Sequence, residues 1–256
     1  MQLRICLNFV GRIISSIMYT EVNKLIEVTQ MNIHLNYYEQ GQGFPLILLH
    51  GNGEDMTYFK HQIDVLSEYY RVFAVETRGH GRTPRGDAPF TIRQFADDLL
   101  KFMDEHQIDR AHLLGYSDGG NIAMCFAIKY PHRVGKLILN GANLYPLGVK
   151  LDAQIPITID YYKTKLFGKK NSENVYKTEM LGLMVNDPYI KRRELKKLSM
   201  PALVIAGTED LIRKSHIEKI AKIIPNAELA FVYGGHAVAY ENPYDFNAVV
   251  LNFLNQ

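Results

Sequence analysis

Buried strands and amphipathic helices alternate along most of this chain, and no other feature restricts its fold as strongly. "FPLILLHG" is a continuous apolar run that ends at glycine, which is typical of a central strand covered on both faces. "FTIRQFADDLLKFMDEHQI" has the i, i+3, i+4 apolar spacing of a long helix introduced by Thr91. Further strand patterns are "RVFAVET", "RAHLLGYS", "RVGKLILNGA", "PALVIAGTED" and "AELAFVYGGH". We predict an α/β fold, with a mostly parallel sheet and helices on both faces.

The alternation is interrupted once, in the middle of the chain. From Asn143 to about Ser199 there is no clear strand pattern, and strands resume after it. We therefore expect a helical cap at 143–199, inserted into one core formed by 20–142 and 200–256. The basic run "KRRELKK" inside this segment fits a solvated helix face, with a phosphate or polyanion site as the alternative.

The N-terminal part divides at about residue 20. "NKLIEVTQMNIHLNYYEQG" alternates polar and apolar residues as two strands would, with a turn near Gln30 to Asn32. Residues 1–19 are predicted to be an extension outside the core, because Met18 is followed by what looks like the usual start of a domain. A secretory signal is the alternative, but Asn8, Gly11 and Arg12 interrupt its apolar stretch.

Composition excludes several classes of function. Lysine and arginine number 29 against 27 aspartate and glutamate, so the formal charge of +2 gives no nucleic-acid footprint. Cys6 and Cys125 form no C-x-x-C pair, and no histidine lies at a metal-ligand spacing, so we expect no disulfide, no metal and a cytoplasmic location. We predict that Cys125 is a small, buried apolar residue. No segment approaches the ~20 apolar residues that a membrane span needs.

One serine lies where a predicted strand gives way to a predicted helix. "LLGYSDGGNIA", residues 113–123, places Ser117 in a G-x-S-x-G motif. Gly115 and Gly119 allow the sharp turn that exposes such a serine at the edge of a sheet. The following helix directs its N–H groups and positive dipole end towards the hydroxyl. We predict that Ser117 is a nucleophile; the alternative is an ordinary tight turn.

A serine hydroxyl needs a base and an orienting acid to act as a nucleophile at neutral pH. His236, in "GGHAVAYENP" just past the last strand, is the predicted base, and His80 in "RGHGRTPRG" is a weaker competitor. The predicted acid is Asp210 in "GTEDLI", with its neighbour Glu209 as the alternative.

The negative oxygen formed during acyl transfer needs backbone N–H donors. We assign one donor to Asp118, the residue after the nucleophile. The other is Asn52 in "HGNGED", which follows the strand "LILLHG". The alternative is that "HGNG" forms only a turn.

These motifs, in this order, strongly resemble those of α/β-hydrolase fold enzymes. "HGNGED", "ETRGHGRTPRG", "GYSDGG", "GTEDLI" and "GGHAVAYENP" carry the resemblance, which extends from about residue 25 to the end. It implies an eight-stranded, mostly parallel sheet, a cap after strand six, the order Ser, Asp, His, and no metal or cofactor. Serine at 117 argues against the family members that use an aspartate nucleophile, the dehalogenases and epoxide hydrolases.

Asp118 is the unusual residue in this set. "GYSDGG" and "NGAN" look like the valacyclovir hydrolase branch, in which the acid after the nucleophile is associated with esters carrying an α-amino group. A buried carboxylate would pair with an ammonium group and penalise neutral substrates. The alternative is an acid stabilised only by the dipole of the helix it begins.

We therefore predict a cytoplasmic serine hydrolase that cleaves a small carboxylic ester or related acyl compound through an acyl-enzyme. Its partners are a small acyl substrate and water, without nucleic acid or membrane, and it is a monomer or homodimer. Cap residues Tyr145, Tyr161 and Tyr162 are expected to contact the substrate. Cleavage of carbon–carbon bonds, lactones or thioesters, or a perhydrolase side activity, would use the same residues. A ligand sensor with little turnover is the alternative from another class.

Overall fold

A central sheet of seven strands runs through residues 33–256, the part of the chain that the computed structural model describes. The strands are β1 (Tyr37–Gln40), β2 (Pro45–Leu49), β3 (Arg71–Val75), β4 (Ala111–Tyr116), β5 (Val134–Asn140), β6 (Ala202–Gly207) and β7 (Ala227–Val232). Their spatial order is β1-β3-β2-β4-β5-β6-β7. β1 pairs antiparallel with β3, and every other pairing is parallel. The mostly parallel α/β fold predicted from the sequence is confirmed.

The strands that carry continuous apolar runs lie at the centre of the sheet. In β2, residues 46–49 are completely or almost completely buried, as expected for a strand covered by helices on both faces. β1 is the second of the two strands predicted near the N-terminus. The predicted first strand of that pair lies outside the described residues, and it would be the eighth strand of the expected sheet. The 1–19 extension and Cys6 also lie outside them.

Helices cover both faces of the sheet. They are α1 (Lys60–Ser67), α2 (Ile92–Glu105), α3 (Asp118–Lys129), α4 (Leu151–Phe167), α5 (Ser172–Asn186), α6 (Arg192–Leu195), α7 (Lys214–Ile223), α8 (Val238–Glu241) and α9 (Pro243–Leu254). One apolar cluster joins the sheet to α2, α3 and α7, and a second joins its other face to α1 and α9. Thr91 caps α2 as its position predicts, because its hydroxyl accepts a hydrogen bond from Gln94 N.

Three helices, α4 to α6, fill the chain between β5 and β6. α4 and α5 pack on each other, yet α4 leaves a row of large apolar side chains in solvent, including Ile155, Ile159 and Leu166. In α6, Leu195 is buried whereas Arg192 and Arg193 are exposed. This helical segment lies above the carboxyl edge of the sheet, where its residues share a cavity with those that follow β2 and β4.

Within residues 33–256, no helix combines the length and the apolar character that crossing a bilayer requires.

Candidate active site

Ser117 lies in a strained turn between β4 and α3. Its φ of 53° and ψ of −119° place a residue with a side chain in the left-handed half of backbone space. The turn is held by Ser117 N, which donates to Asn140 O on the neighbouring strand at 2.8 Å. A Cβ on Gly115 would collide with the backbone of Gly119, so the chain can pass this closely only with glycine there.

The structure brings Ser117, His236 and Asp210 into one hydrogen-bonded chain. His236 Nε2 lies 3.0 Å from Ser117 Oγ, and His236 Nδ1 lies 2.7 Å from Asp210 Oδ1. Asp210 Oδ1 also accepts the backbone N–H of Ile212 at 2.7 Å, which fixes the carboxylate. The His236 side chain is 15% exposed and that of Asp210 only 3% exposed. This arrangement can transfer a proton from the serine hydroxyl to an imidazole whose orientation is set by a buried acid.

The two competitors from the sequence lie elsewhere. Glu209 is exposed, and the hydrogen bond it forms is a backbone one, from its N–H to Gly234 O. His80 is buried beside Thr77 and Arg78, where its Nδ1 lies 3.1 Å from Thr77 Oγ1, and it does not line the cavity that contains Ser117. The geometry therefore brings Asp210 and His236 to Ser117, and neither Glu209 nor His80.

The two backbone donors assigned to the oxyanion hole flank the serine. Asn52 and Asp118 both line the cavity that contains Ser117. Among residues 33–256, neither of their backbone N–H groups donates to a backbone carbonyl in the loops and turns. Asp118 N also opens α3, so the positive end of that helix dipole lies at the same point. The arrangement suits an oxygen that becomes negative beside Ser117.

The cavity over Ser117 is small and is closed on one side by the helical segment. Its volume is about 170 Å³, below the ~300 Å³ at which pockets for drug-sized ligands begin. The residues that the core contributes to its lining are Asn52, Glu54, Tyr116, Ser117, Asp118, Leu211, Ile212 and His236. The chain between β5 and β6 contributes Asn143, Val149, Gln154, Ile157, Met184 and Asp187. A cavity of this size admits a compact acyl group.

Acidic side chains supply the charge of this cavity. Glu54, Asp118 and Asp187 line it, and among residues 33–256 no lysine or arginine does. Burial raises the pKa of all three carboxyls, and for Asp187 the pKa rises to about 6, with the charge of Asp118 adding to the effect of burial. The cavity thus favours neutral or cationic groups over anionic ones.

Both carboxylate oxygens of Asp118 are occupied by protein donors. Asn52 Nδ2 donates to one at 2.9 Å and Asn121 Nδ2 to the other at 3.1 Å. Asn52 Nδ2 also donates to Met180 O in α5 at 2.9 Å, and Asn121 is bonded in both directions to Asn143. A chain of amide hydrogen bonds therefore joins the oxyanion loop, the start of α3 and the helical segment.

The three tyrosines expected to contact substrate do not line the cavity. Tyr145 lies edge-on against His216, and its hydroxyl accepts a hydrogen bond from Lys219. Tyr161 and Tyr162 contact each other on α4, where Tyr161 is buried and Tyr162 is 49% exposed. These rings pack within the helical segment or against α7 instead. The four polar lining residues that sequence reasoning missed are Glu54, Asn143, Gln154 and Asp187.

Two of these four lining residues, Glu54 and Asn143, lie in sequence motifs that the resemblance already singles out. Glu54 lies two residues after Asn52 in the quoted motif "HGNGED", and Asn143 ends the quoted "NGAN". Gln154 and Asp187 belong to no motif, so only the packing of α4 and α5 reveals them.

His216 binds the start of the helical segment, and this contact should make the stability of the protein depend on pH. Its Nε2 accepts the backbone N–H of Leu144 at 3.0 Å, and burial, aided by Lys219 and Arg213, lowers its pKa from 6.5 to about 4. At pH values between 4 and 6.5, this histidine binds a proton more readily in the unfolded chain than in the folded one. The free energy of unfolding therefore falls as the pH falls, by about 1.4 kcal/mol per pH unit for one group. We expect His216→Gln to lose part of that dependence.

Urea unfolding of wild type and His216→Gln from pH 7 to pH 4.5 measures this difference. The stability advantage of the wild type should shrink as the pH falls through 6.5. The carboxyls with raised pKa contribute a pH dependence of the opposite sign. This contribution is common to both proteins, so it cancels in the difference between their free energies of unfolding. A difference that stays constant with pH would show that His216 is not held neutral by the fold.

Comparison with known proteins places this geometry in a family. The sequence model of the family described as alpha/beta hydrolase fold matches residues 45–162. A 2-hydroxy-6-oxononadienedioate/2-hydroxy-6-oxononatrienedioate hydrolase from Paraburkholderia phymatum is 30% identical, over 92% of this chain and 95% of its own length. The chain belongs to the α/β-hydrolase fold family, as the motif order predicted.

Other relatives show how varied the reactions of this family are. A protein provisionally named carbamate hydrolase RutD, from Caulobacter sp. strain K31, is 29% identical over 82% of this chain and 90% of its own. A meta-cleavage product hydrolase from Pseudomonas fluorescens has a TM-score of 0.71 at 26% identity, over 89% of this chain and 96% of that one. The enol-lactonase of Burkholderia xenovorans LB400, at 22% identity and a TM-score of 0.75, shares the fold over 88% and 97% of the two chains. The protein is thus a hydrolase by relationship.

Proposed function

We propose that this protein is a serine hydrolase that cleaves small carboxylic esters or related acyl compounds through an acyl-enzyme. The observation that carries the proposal is the hydrogen-bonded chain Ser117, His236, Asp210 at a small cavity. A ligand sensor without turnover would not need a nucleophile, a base and an acid in this alignment together with two backbone N–H groups at the same cavity.

The proposed reaction uses each of these groups in turn. His236 Nε2 takes the proton of Ser117 as Oγ attacks the acyl carbonyl, and the backbone N–H groups of Asn52 and Asp118 hold the negative oxygen. The leaving alcohol takes that proton from His236 as the ester bond breaks. Water, deprotonated by His236, then releases the acid and restores Ser117. Asp210 keeps the imidazole oriented and stabilises its charged form throughout.

The size and charge of the cavity support a compact substrate without a carboxylate. The volume of about 170 Å³ and the carboxyls of Glu54, Asp118 and Asp187 both act against large or anionic acyl groups. The same sign of charge supports the preference for α-amino acyl esters that the sequence suggests at Asp118. We place the reaction in the cytoplasm, in a monomer or homodimer, with a small acyl compound and water as its partners.

Carbon–carbon or lactone hydrolysis on the same residues is the second candidate function. The observation in its favour is the relationship to the hydrolase from Paraburkholderia phymatum. The dienedioates in that protein's name carry two carboxylates, whereas no lysine or arginine in the described part of this chain lines the cavity. We therefore rank it below ester hydrolysis.

A panel of substrates at equal concentration separates these functions. Ethyl butyrate, γ-butyrolactone, S-ethyl thiobutyrate and a 2-hydroxy-6-oxodienoate would each be assayed for kcat/KM at pH 7.5. We expect the ester or thioester to exceed the dienoate by about tenfold or more, because the acidic cavity repels the anion. A dienoate cleaved faster than the ester would overturn the ranking, and no turnover of any compound would favour the sensor.

A further inference from the structure

Gln154 carries a buried acceptor that no residue in the described part of the chain satisfies. The residue is 5% exposed, lines the cavity over Ser117 and lies in α4. Its Nε2 donates to Met184 O in α5 at 3.2 Å, and a carbonyl acceptor fixes which end of the amide is nitrogen. Its Oε1 has no hydrogen-bond partner among residues 33–256. A buried acceptor left unpaired is unfavourable, so a donor supplied by a ligand would be favoured there.

Asp187 brings a carboxylate to the same part of the cavity. It follows the end of α5, three residues after the Met184 that holds Gln154. It forms no ion pair within residues 33–256. The backbone N–H of Ile92 donates to its carboxyl, and the cation that influences it, Arg93, is directed to Glu194 and Tyr189 O. A carboxyl with a pKa of about 6 is mostly ionised at pH 7.

The other two acids of the cavity belong to the core and not to the helical segment. Asp118 already receives one amide donor on each oxygen. Glu54 Oε2 lies 3.3 Å from Gly51 N in its own loop. Glu54 and Asp187 thus each accept one backbone N–H, and Asp187 is the one that lies on the helical segment together with Gln154.

We propose that Gln154 and Asp187 form a subsite for a small cationic donor on the acyl part of the substrate, a primary ammonium group. Gln154 Oε1 accepts one of its N–H groups and Asp187 supplies the opposite charge. The subsite rests on the proposed function, because it assigns the substrate class of that same cavity. It places recognition in α4 and α5, which differs from recognition by Asp118.

Three ethyl esters with one changed group test the subsite. L-Alanine, L-lactic acid and isobutyric acid carry an ammonium, a hydroxyl and a methyl group on the same carbon, and an α-amino group is mostly protonated at pH 7. We expect wild type to prefer the alanine ester over the isobutyrate ester in kcat/KM by about tenfold or more. Gln154→Met and Asp187→Asn should each reduce that ratio by about fivefold or more, and the lactate ester should respond to Gln154→Met alone.

Two further variants identify which acid is responsible. Asp152→Asn removes an exposed carboxyl from the same helix, two residues before Gln154, and should keep both the rates and the ratio of wild type. If Asp118→Asn abolishes the preference while Gln154→Met and Asp187→Asn keep it, the subsite is wrong and Asp118 recognises the ammonium. Equal rates on all three esters in wild type would also overturn it.

A binding measurement separates failure of the subsite from failure of the proposed function. Calorimetry with Ser117→Ala compares L-alaninamide with isobutyramide, which needs no turnover. We expect alaninamide to bind about tenfold more tightly, and the difference to disappear when Gln154→Met is added. If this holds but wild type cleaves no ester, the function is wrong and the subsite stands. If esters are cleaved but the two amides bind equally, the subsite is wrong and the function stands.

Discussion

Replacing Ser117 by alanine is expected to lower kcat for ester hydrolysis by about 10⁴-fold or more, the largest effect that a single change in this chain should have. The reason is that His236 Nε2 and the donors of Asn52 and Asp118 are arranged around one hydroxyl, and none of them can form the acyl bond. Stability should change little, because alanine keeps the Cβ at the strained turn.

Kinetics and labelling together check this expectation. Wild type should be inactivated by phenylmethylsulfonyl fluoride with a mass gain of one sulfonyl group, and Ser117→Ala should gain none. Ser215→Ala changes an exposed serine on α7 and should behave as wild type. Labelling or turnover that persists in Ser117→Ala would show that another residue is the nucleophile.

Replacing Asp98 by alanine is expected to cost about 3–5 kcal/mol of stability, the largest effect on folding that we predict. Arg78 is fully buried and binds Asp98 through two hydrogen bonds of 2.7 and 2.6 Å. Removing the acid leaves a guanidinium without its counter-charge in the core, and Arg78 cannot lose its proton instead. A loss of this size is a large part of the 5–15 kcal/mol typical of a folded domain.

The neighbouring residue on the same helix is a matched control. Asp97 pairs with Lys129 at 2.6 Å, but their side chains are 35% and 55% exposed, so Asp97→Ala should cost less than about 1 kcal/mol. Urea unfolding at pH 7 measures both variants. The double variant Arg78→Met, Asp98→Leu should recover most of the stability, since it removes both charges. Equal losses for Asp97→Ala and Asp98→Ala would contradict a role for burial.

The sequence predicts the core of this fold well because burial and periodicity agree there. A strand such as Pro45–Leu49 is apolar throughout since both of its faces are covered, and this pattern is readable without coordinates. Ser117, Asp210 and His236 are predictable for a related reason. Each follows a recognisable strand, and the carboxyl ends of parallel strands meet at one edge of the sheet.

The helical segment is less predictable because its apolar residues do not mark its buried face. α4 exposes Ile155 and Ile159 while it buries the polar Gln154, the opposite of an ordinary amphipathic helix. Residue type alone favours Tyr161 and Tyr162 as substrate contacts, and neither lines the cavity. Which side chains reach the substrate depends on how α4 and α5 cross, and sequence periodicity does not contain that information.

The positive φ of Ser117 sets a limit on what this position can become. At φ 53° and ψ −119° an amino acid with a side chain is strained by about 1–3 kcal/mol, whereas glycine adopts positive φ readily. Glycine has no hydroxyl, thiol or carboxylate. Relief of the backbone strain and possession of a nucleophile therefore exclude each other at residue 117. Selection for stability alone would move this turn towards glycine, so a serine persists there only while its chemistry is needed.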